Sequence, residues 1–248
     1  MGPAVARLRR KSRRAHGRHP GQGHTRLMPT APVRTADAAS VLLVDRSDNG
    51  CRVLMGRRSR KHVFMPEVYV FPGGRRDRTD AGIPVSGDLH PLARERLELR
   101  TGKRVTQATL RAIAIAGLRE LHEEAGLTVG TAPDSGTTAL PFLPDLSRLR
   151  FLARAITPPG HVRRFDTRFF TLFTDEAEID PASVRGNHEL EDLRWIDVFD
   201  ASGIEMADIT VLILEELRIC LQEDSSLPYG RAAAFFHTRR GQFVRERL

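Results

Sequence analysis

Three glutamates stand within five positions of the stretch GLRELHEEAGL, residues 117–127. On a helix, Glu120, Glu123 and Glu124 fall within an arc of roughly 100°, beside the apolar stripe and not inside it. Like charges at these spacings repel one another, and at the carboxyl end of a helix they also oppose its dipole. A hard divalent cation, Mg²⁺ or Mn²⁺, would relieve both effects, because it prefers carboxylate oxygens. The alternative is a solvated acidic face eased by Arg119.

A helix over residues 107–125 is predicted to carry these glutamates. Gly126 follows the last apolar position and is typical of a helix stop. The apolar stripe of this helix consists of Ala114, Leu118, Leu121 and Ala125.

The remaining pattern mixes short apolar runs with two further helical segments. Predicted strands cover residues 39–45 and 52–56, joined as a hairpin by the turn RSDNG. A further strand is predicted from residues 68–71 into PGG, residues 72–74, and others cover 151–157, 167–174 and 192–198. Predicted helices cover residues 90–100 and 209–222. No internal repeat is present, and the mixture favours an α/β or α+β sandwich.

The stretch RELHEEAGL, from Arg119 onward, resembles the second half of the Nudix box, Gly-x5-Glu-x7-Arg-Glu-U-x-Glu-Glu-x-Gly-U, where U is a bulky aliphatic residue. The first half is absent at the family spacing. The Pro-Gly-Gly of the family occurs further upstream in FPGG, residues 71–74, and Asp80 lies where the family has Glu. Between Asp80 and Arg119 stand 38 residues instead of 7, so an insertion within residues 75–107 is predicted to split the box.

The resemblance implies a Nudix-type α/β/α sandwich around a mixed sheet, spanning residues 37–248. It implies a hydrolase that uses Mg²⁺ or Mn²⁺ and water to cleave a diphosphate linked to another group. By position, Glu120, Glu123, Glu124 and the carbonyl of Gly74 would bind the metal, and Arg119 would orient the glutamates. Many members add a carboxylate from elsewhere in the chain, for which Glu189 and Glu191 are the alternatives here.

A weaker resemblance concerns the substrate. The coenzyme A diphosphatase branch carries L-L-T-x-R-S-x3-R-x3-G-x3-F-P-G-G, and Leu54, Arg58, Ser59 and residues 71–74 align with it without a gap. This chain departs from that pattern at Met55, Gly56, Val63 and Glu67. A split box also resembles the eukaryotic peroxisomal coenzyme A diphosphatases.

The resemblance therefore predicts coenzyme A or acyl-CoA as the substrate, with ADP-ribose or NADH as rivals. Arg57 and Arg58 would bind its phosphates, since guanidinium forks match phosphate geometry. The alternative is that these arginines form a solvated hairpin end. Gly73 and Gly74 would let the backbone approach the ligand closely. A Nudix-fold module that binds a ligand without cleaving it is the alternative from another class.

The net charge of +8 comes from the first 36 residues, which hold nine Lys or Arg and no acid. This segment, residues 1–36, is predicted to be a disordered basic tail. It is either a solvated extension, which we favour, or an arm for nucleic acid, which would make the protein a hydrolase of RNA ends.

The chain offers no apolar run near the ~18 residues of a membrane span and no secretory signal. We therefore expect a cytoplasmic protein with no membrane contact, and with Cys51 and Cys220 reduced. The oligomeric state stays open.

Overall fold

A computed structural model of the protein describes residues 33–47, 50–59, 67–133, 139–187 and 189–248. The basic tail predicted over residues 1–36 lies outside the described residues except for its last four. The first strand begins within those four, at Thr35. The tail boundary after residue 36 stays a prediction.

The described residues contain eleven strands. These are β1 (Thr35–Asp45), β2 (Arg52–Arg58), β3 (Tyr69–Val70), β4 (Gly73–Arg75), β5 (Gly130–Thr131), β6 (Leu143–Pro144), β7 (Arg150–Ile156), β8 (Arg164–Phe173), β9 (Leu190–Asp197), β10 (Ala234–Arg239) and β11 (Gln242–Arg247). Nine of them form one sheet in the order β11-β10-β7-β8-β1-β2-β3, with β4 paired to β1 and β9 paired to β2. The strands β5 and β6 pair separately.

The large sheet is mixed, as predicted. β1 runs parallel to β8 and β10 runs parallel to β7, whereas the other pairs within this sheet are antiparallel. β1 lies inside the sheet and alternates between its faces: Val41 and Leu43 pack on one side, and Leu42 and Val44 pack on the other. Because both faces of this strand are buried, its sequence is a continuous apolar run.

Three helices cover the two faces. They are α1 (Pro91–Glu98), α2 (Gln107–Ala125) and α3 (Asp208–Glu223). The helices α1 and α2 bury Leu97 and Leu118 in the same core as Val41, whereas α3 buries Leu217 in the core of the opposite face. The predicted α/β/α sandwich is therefore confirmed.

The helix α2 has the bounds that its sequence predicts. The Thr106 hydroxyl caps its first turn by accepting a hydrogen bond from the Thr109 N–H at 3.2 Å. At the other end, Gly126 takes the left-handed conformation, φ 71°, and its N–H donates to the carbonyl of His122. The helix packs against β1 and β4, and this contact places its acidic last turns beside the glycines of β4.

The other predicted elements are confirmed within one to a few residues. The carboxyl-terminal hairpin of β10 and β11 and the short strands β5 and β6 were not predicted. The strand predicted from residues 68–71 into PGG is two strands in the fold, β3 and β4. Both cysteines are free, Cys51 half-buried and Cys220 buried. Within the described residues, no helix is both long and apolar enough to cross a membrane.

Candidate functional site

Arg119 is the centre of the polar cluster at the end of α2. Its Nε donates to Asp80 Oδ1 at 2.9 Å, and its Nη1 donates to Glu120 Oε1 at 2.8 Å and to Glu123 Oε2 at 2.9 Å. Its Nη2 donates to the carbonyl of Arg75 at 2.9 Å. One guanidinium thus ties two successive glutamates of the helix to the segment that follows β4.

Asp80 belongs to a distant part of the sequence and is completely buried. It lies in the 3-10 turn Thr79–Gly82 and also accepts a hydrogen bond from the N–H of Asp77 at 2.6 Å. The acid found at the family's Glu position is therefore in contact with Arg119, although 38 residues intervene. The helix α1 lies among those residues, and their origin as an insertion stays a prediction.

The two glycines of β4 contact the glutamates directly. The N–H of Gly73 donates to Glu124 Oε2 at 2.8 Å. A Cβ atom added to Gly74 would overlap the carboxylate of Glu120. A side chain at position 74 would displace the Glu120 carboxylate from this place, so the predicted pairing of FPGG with the glutamate helix occurs in the fold.

The three glutamates differ in burial and therefore in electrostatics. Burial raises the pKa of Glu124 to about 8, and the neighbouring charges of Glu120 and Glu189 add to this rise. Burial also raises the pKa of Glu120, against the opposing effect of Arg119. The side chain of Glu123 is half exposed. Burial and mutual repulsion therefore disfavour the ionised form of these carboxyl groups, most of all that of Glu124.

Of the two further acids considered, Glu189 is the one that approaches this cluster. Its negative charge raises the pKa of both Glu120 and Glu124, and its own side chain is exposed. Glu191 lies in β9, opposite Arg57 of β2. Sequence reasoning missed Asn187, whose side chain bonds the carbonyl of Glu123 at 2.6 Å. An Asn just ahead of a strand was the only available signal, and it is a common turn residue.

Arginines near the site differ in what they contact: two line a cavity, and two are bonded elsewhere in the fold. Arg58 lines a cavity beside the cluster, where burial lowers its pKa and the charge of Glu124 opposes this effect. Arg163 lines the same cavity. Arg164 instead donates to the carbonyl of Thr157, and Arg168 is buried in an ion pair with Asp37.

This cavity has a volume of about 540 Å³ and lies on the α3 face of the sheet. Ser40 and Arg58 line it near β4, and His161 and Arg163 line it from the β7–β8 turn. Its apolar wall includes Phe71, Phe165, Phe169, Ile209, Leu212 and Phe243. Its size and its mixture of apolar and cationic groups are typical of small-molecule sites.

The donor set fits a hard divalent cation in its chemistry, because Glu120, Glu123, Glu124 and the carbonyl of Gly74 are all oxygen donors. The raised pKa of Glu124 is the electrostatic cost that a cation would remove. Within the described residues, however, no three acidic, His or Cys side chains converge closely enough to hold an ion. Glu120 and Glu123 point their oxygens at Arg119 instead.

The fold was compared with solved structures. A crystal structure of a NUDIX hydrolase from Alicyclobacillus acidocaldarius matches 81% of this chain and 100% of its own, with a TM-score of 0.57 and 23% identity. The chain has the Nudix fold. The NUDIX domain of Shewanella oneidensis NrtR, solved with ADP ribose, matches 79% of this chain and 94% of its own, at 15% identity and a TM-score of 0.47.

The sequence of this Nudix-fold chain was also compared. No protein-family model matches it. The curated protein named "Putative nudix hydrolase 7", from Caenorhabditis elegans, is 29% identical over 180 residues, which cover 64% of this chain and 50% of the relative. The chain thus spans half the length of the curated relative. The similarity to the solved structure shows the fold, and the curated relative bears the name of the family that the Arg119 motif resembles.

Proposed function

We propose that the protein hydrolyses the diphosphate bond of a nucleoside-diphosphate-linked small molecule, with Mg²⁺ or Mn²⁺ as its cofactor. The observation that carries the proposal is the cluster around Arg119. This residue joins Asp80, Glu120 and Glu123, while the Gly73 N–H holds Glu124. Such a site concentrates fixed carboxylates, which can hold a cation for metal-assisted attack by water.

The glutamates Glu120, Glu123 and Glu124, with the carbonyl of Gly74, would hold the cation. When bound, a divalent cation neutralises the diphosphate and lowers the pKa of a nearby water. The buried guanidinium of Arg119 holds Glu120 and Glu123 in place, and the ion pair with Asp80 fixes the guanidinium in turn.

The remaining groups act on the water and the phosphates. Glu189, exposed beside Glu120 and Glu124, would accept the proton of the attacking water. The water oxygen forms a new bond to phosphorus, and the bridging P–O bond breaks, leaving two phosphate monoesters. Arg58 lies between the cluster and the cavity, where a guanidinium can bind a phosphate oxygen.

For the substrate, we propose coenzyme A or acyl-CoA. The cavity supports this choice: it begins beside the cluster at Arg58, and its walls are mainly apolar and aromatic. A ligand with a long, weakly polar arm fits such walls, and Arg163 offers a cation at some distance from the cluster. ADP-ribose and NADH are the rival substrates, since both combine a diphosphate with an aromatic base.

Turnover of these compounds by the purified full-length protein tests the proposal. Coenzyme A, an acyl-CoA, ADP-ribose and NADH are each incubated with Mg²⁺ or Mn²⁺ in ¹⁸O water, and mass spectrometry identifies the products. The expected result is one ¹⁸O atom in a phosphate monoester, with Glu120→Gln and Glu124→Gln inactive. Glu95→Gln, on the exposed side of α1, is the matched control and keeps wild-type activity.

Two results would contradict parts of this proposal. Binding of these compounds without any turnover would favour the non-catalytic ligand-binding module. Preferred turnover of ADP-ribose or NADH would remove coenzyme A as the substrate and leave the diphosphate hydrolase standing. The hypothesis that the protein cleaves RNA ends depends on the basic tail, most of which lies outside the described part of the chain.

A further inference from the structure

The segment that follows the turn Pro181–Ser183 is attached to the last turn of α2. The final carbonyls of a helix have no partner within the helix and must bond elsewhere. Here the carbonyl of Ala125 accepts from the N–H of Arg185 at 2.9 Å. The carbonyl of Glu123 accepts from Nδ2 of Asn187 at 2.6 Å. The segment therefore completes the helix end that carries the acidic cluster.

The same Asn187 side chain also holds the backbone of the proposed base. Its Oδ1 accepts from the N–H of Glu189 at 2.8 Å and from the N–H of Leu190 at 3.1 Å. From the other side, the N–H of Ser59 donates to the carbonyl of Glu189 at 3.3 Å. The main chain of Glu189 is thus fixed on two sides, whereas its carboxylate is exposed. The negative charge of this carboxylate raises the pKa of Glu120 and of Glu124.

An ordinary turn explains the two bonds that the Asn187 Oδ1 accepts, but not the bond that its Nδ2 donates. Asn commonly accepts from the N–H two residues further on, which here is the bond to Glu189. The bond to Glu123 is of another kind, because it spans 64 residues and reaches the backbone of a proposed metal ligand. The amide of Asn187 therefore links the backbone of Glu189 directly to the last turn of α2.

We propose that Asn187 is a positioning residue that holds Glu189 in place to accept the proton of the attacking water. This inference rests on the proposed function. Asn187 touches neither the substrate nor the cation in this role; it acts through Glu189. Because misplacement of a reacting group by about 1 Å can cost about 100-fold in rate, loss of the amide should lower kcat by about 10- to 100-fold.

A double-mutant cycle tests this role. The turnover of the preferred substrate is measured for the wild type, Asn187→Ala, Glu189→Gln and the double variant. If Asn187 acts through Glu189, the double variant is about as slow as Glu189→Gln alone, and KM changes little. Effects that multiply in the double variant would overturn the inference, as would a wild-type kcat in Asn187→Ala.

Two further measurements separate positioning from general disruption. Asn187→Ser should recover part of kcat, since a serine hydroxyl can accept from the N–H of Glu189 but is too short to bond the carbonyl of Glu123. The affinity for Mn²⁺, measured by electron paramagnetic resonance, should be unchanged in Asn187→Ala. A fall in Mn²⁺ affinity that matches the fall in kcat would instead place the effect in the end of α2 and overturn the inference.

The matched control is Ser183→Ala. Its hydroxyl donates to the carbonyl of Asp180 at 2.7 Å in the same inter-strand segment, so this variant also loses a loop hydrogen bond. We expect wild-type kcat, and a loss equal to that of Asn187→Ala would overturn the inference. Absence of turnover by the wild type would overturn the proposed function itself, and with it the role of Asn187.

Discussion

Replacing Arg119 by methionine tests whether this arginine stabilises the folded state by balancing the charges of the acidic cluster. The side chain of Arg119 is 14% exposed. The side chain of its partner Asp80 is fully buried, and the side chain of its partner Glu120 is 13% exposed. Removing one partner of a buried ion pair costs about 3–5 kcal/mol, because the other charge stays buried without compensation. The half-exposed Glu123 adds little to this cost, since water screens it.

The loss is measured by thermal unfolding in EDTA at neutral pH. For a domain of this size, 1 kcal/mol corresponds to about 2–4 °C in Tm, so Arg119→Met should lower Tm by about 6–20 °C. The control is Arg111→Met on the same helix, whose Nε lies 3.9 Å from Asp88 in a partly exposed pair. Its cost should not exceed about 1 kcal/mol. Equal losses in the two variants would refute the reasoning.

Three further predictions concern the site. Gly74→Ala should reduce kcat by about 100-fold, because its Cβ would displace the Glu120 carboxylate; an unchanged kcat would contradict that close approach. Without divalent cations, the folded state holds the Glu124 proton up to about pH 8, whereas an ordinary glutamate loses its proton near pH 4.5. The free energy of unfolding of the wild type should therefore fall, relative to that of Glu124→Gln, as the pH rises through this window. Urea unfolding in EDTA at pH 5 and pH 8 checks this, and a pH-independent difference would count against it. Ala155→Leu fills part of the cavity, so KM for the substrate should rise while Mn²⁺ affinity, measured by titration, stays constant; an unchanged KM would show that the ligand lies elsewhere.

Local patterns in the sequence were enough to predict most elements, whereas the metal chemistry of the cluster comes from the resemblance to the Nudix box and stays a prediction. The stripe of α2, with Gly126 as its stop, follows from helical periodicity, which depends only on neighbours within a few turns. The crowding of Glu120, Glu123 and Glu124 is also local, and the glycines of FPGG supplied the second part of the motif. The hairpin of β10 and β11 was missed because its turn, Arg240–Gly241, lacks the usual Asn-Gly or Asp-Gly signal.

Tertiary structure alone decided which distant groups meet. The contact of Asp80 with Arg119 crosses 38 residues, and no periodicity reports a contact across such a span. Glu189 rather than Glu191 approaches the cluster, since Asn187 ties the former to the end of α2 while the latter lies in β9 opposite Arg57. In the same way, packing against α3 placed Arg58 and Arg163 at one cavity and kept Arg168 in a buried ion pair on the opposite face.

The sequence predicts elements better than contacts because its patterns depend on neighbouring residues, whereas contacts between distant residues depend on how the whole chain packs. Hydrophobic periodicity and capping depend on how a segment packs against any apolar core, so the sequence by itself predicted the elements and an α/β or α+β sandwich. The three-layer α/β/α form and the residues of the site came from the resemblance to the Nudix box. The identity of the neighbour across that core depends on the packing of all three layers together. The closed cluster, the attached Glu189 and the apolar cavity therefore belong to the tertiary structure.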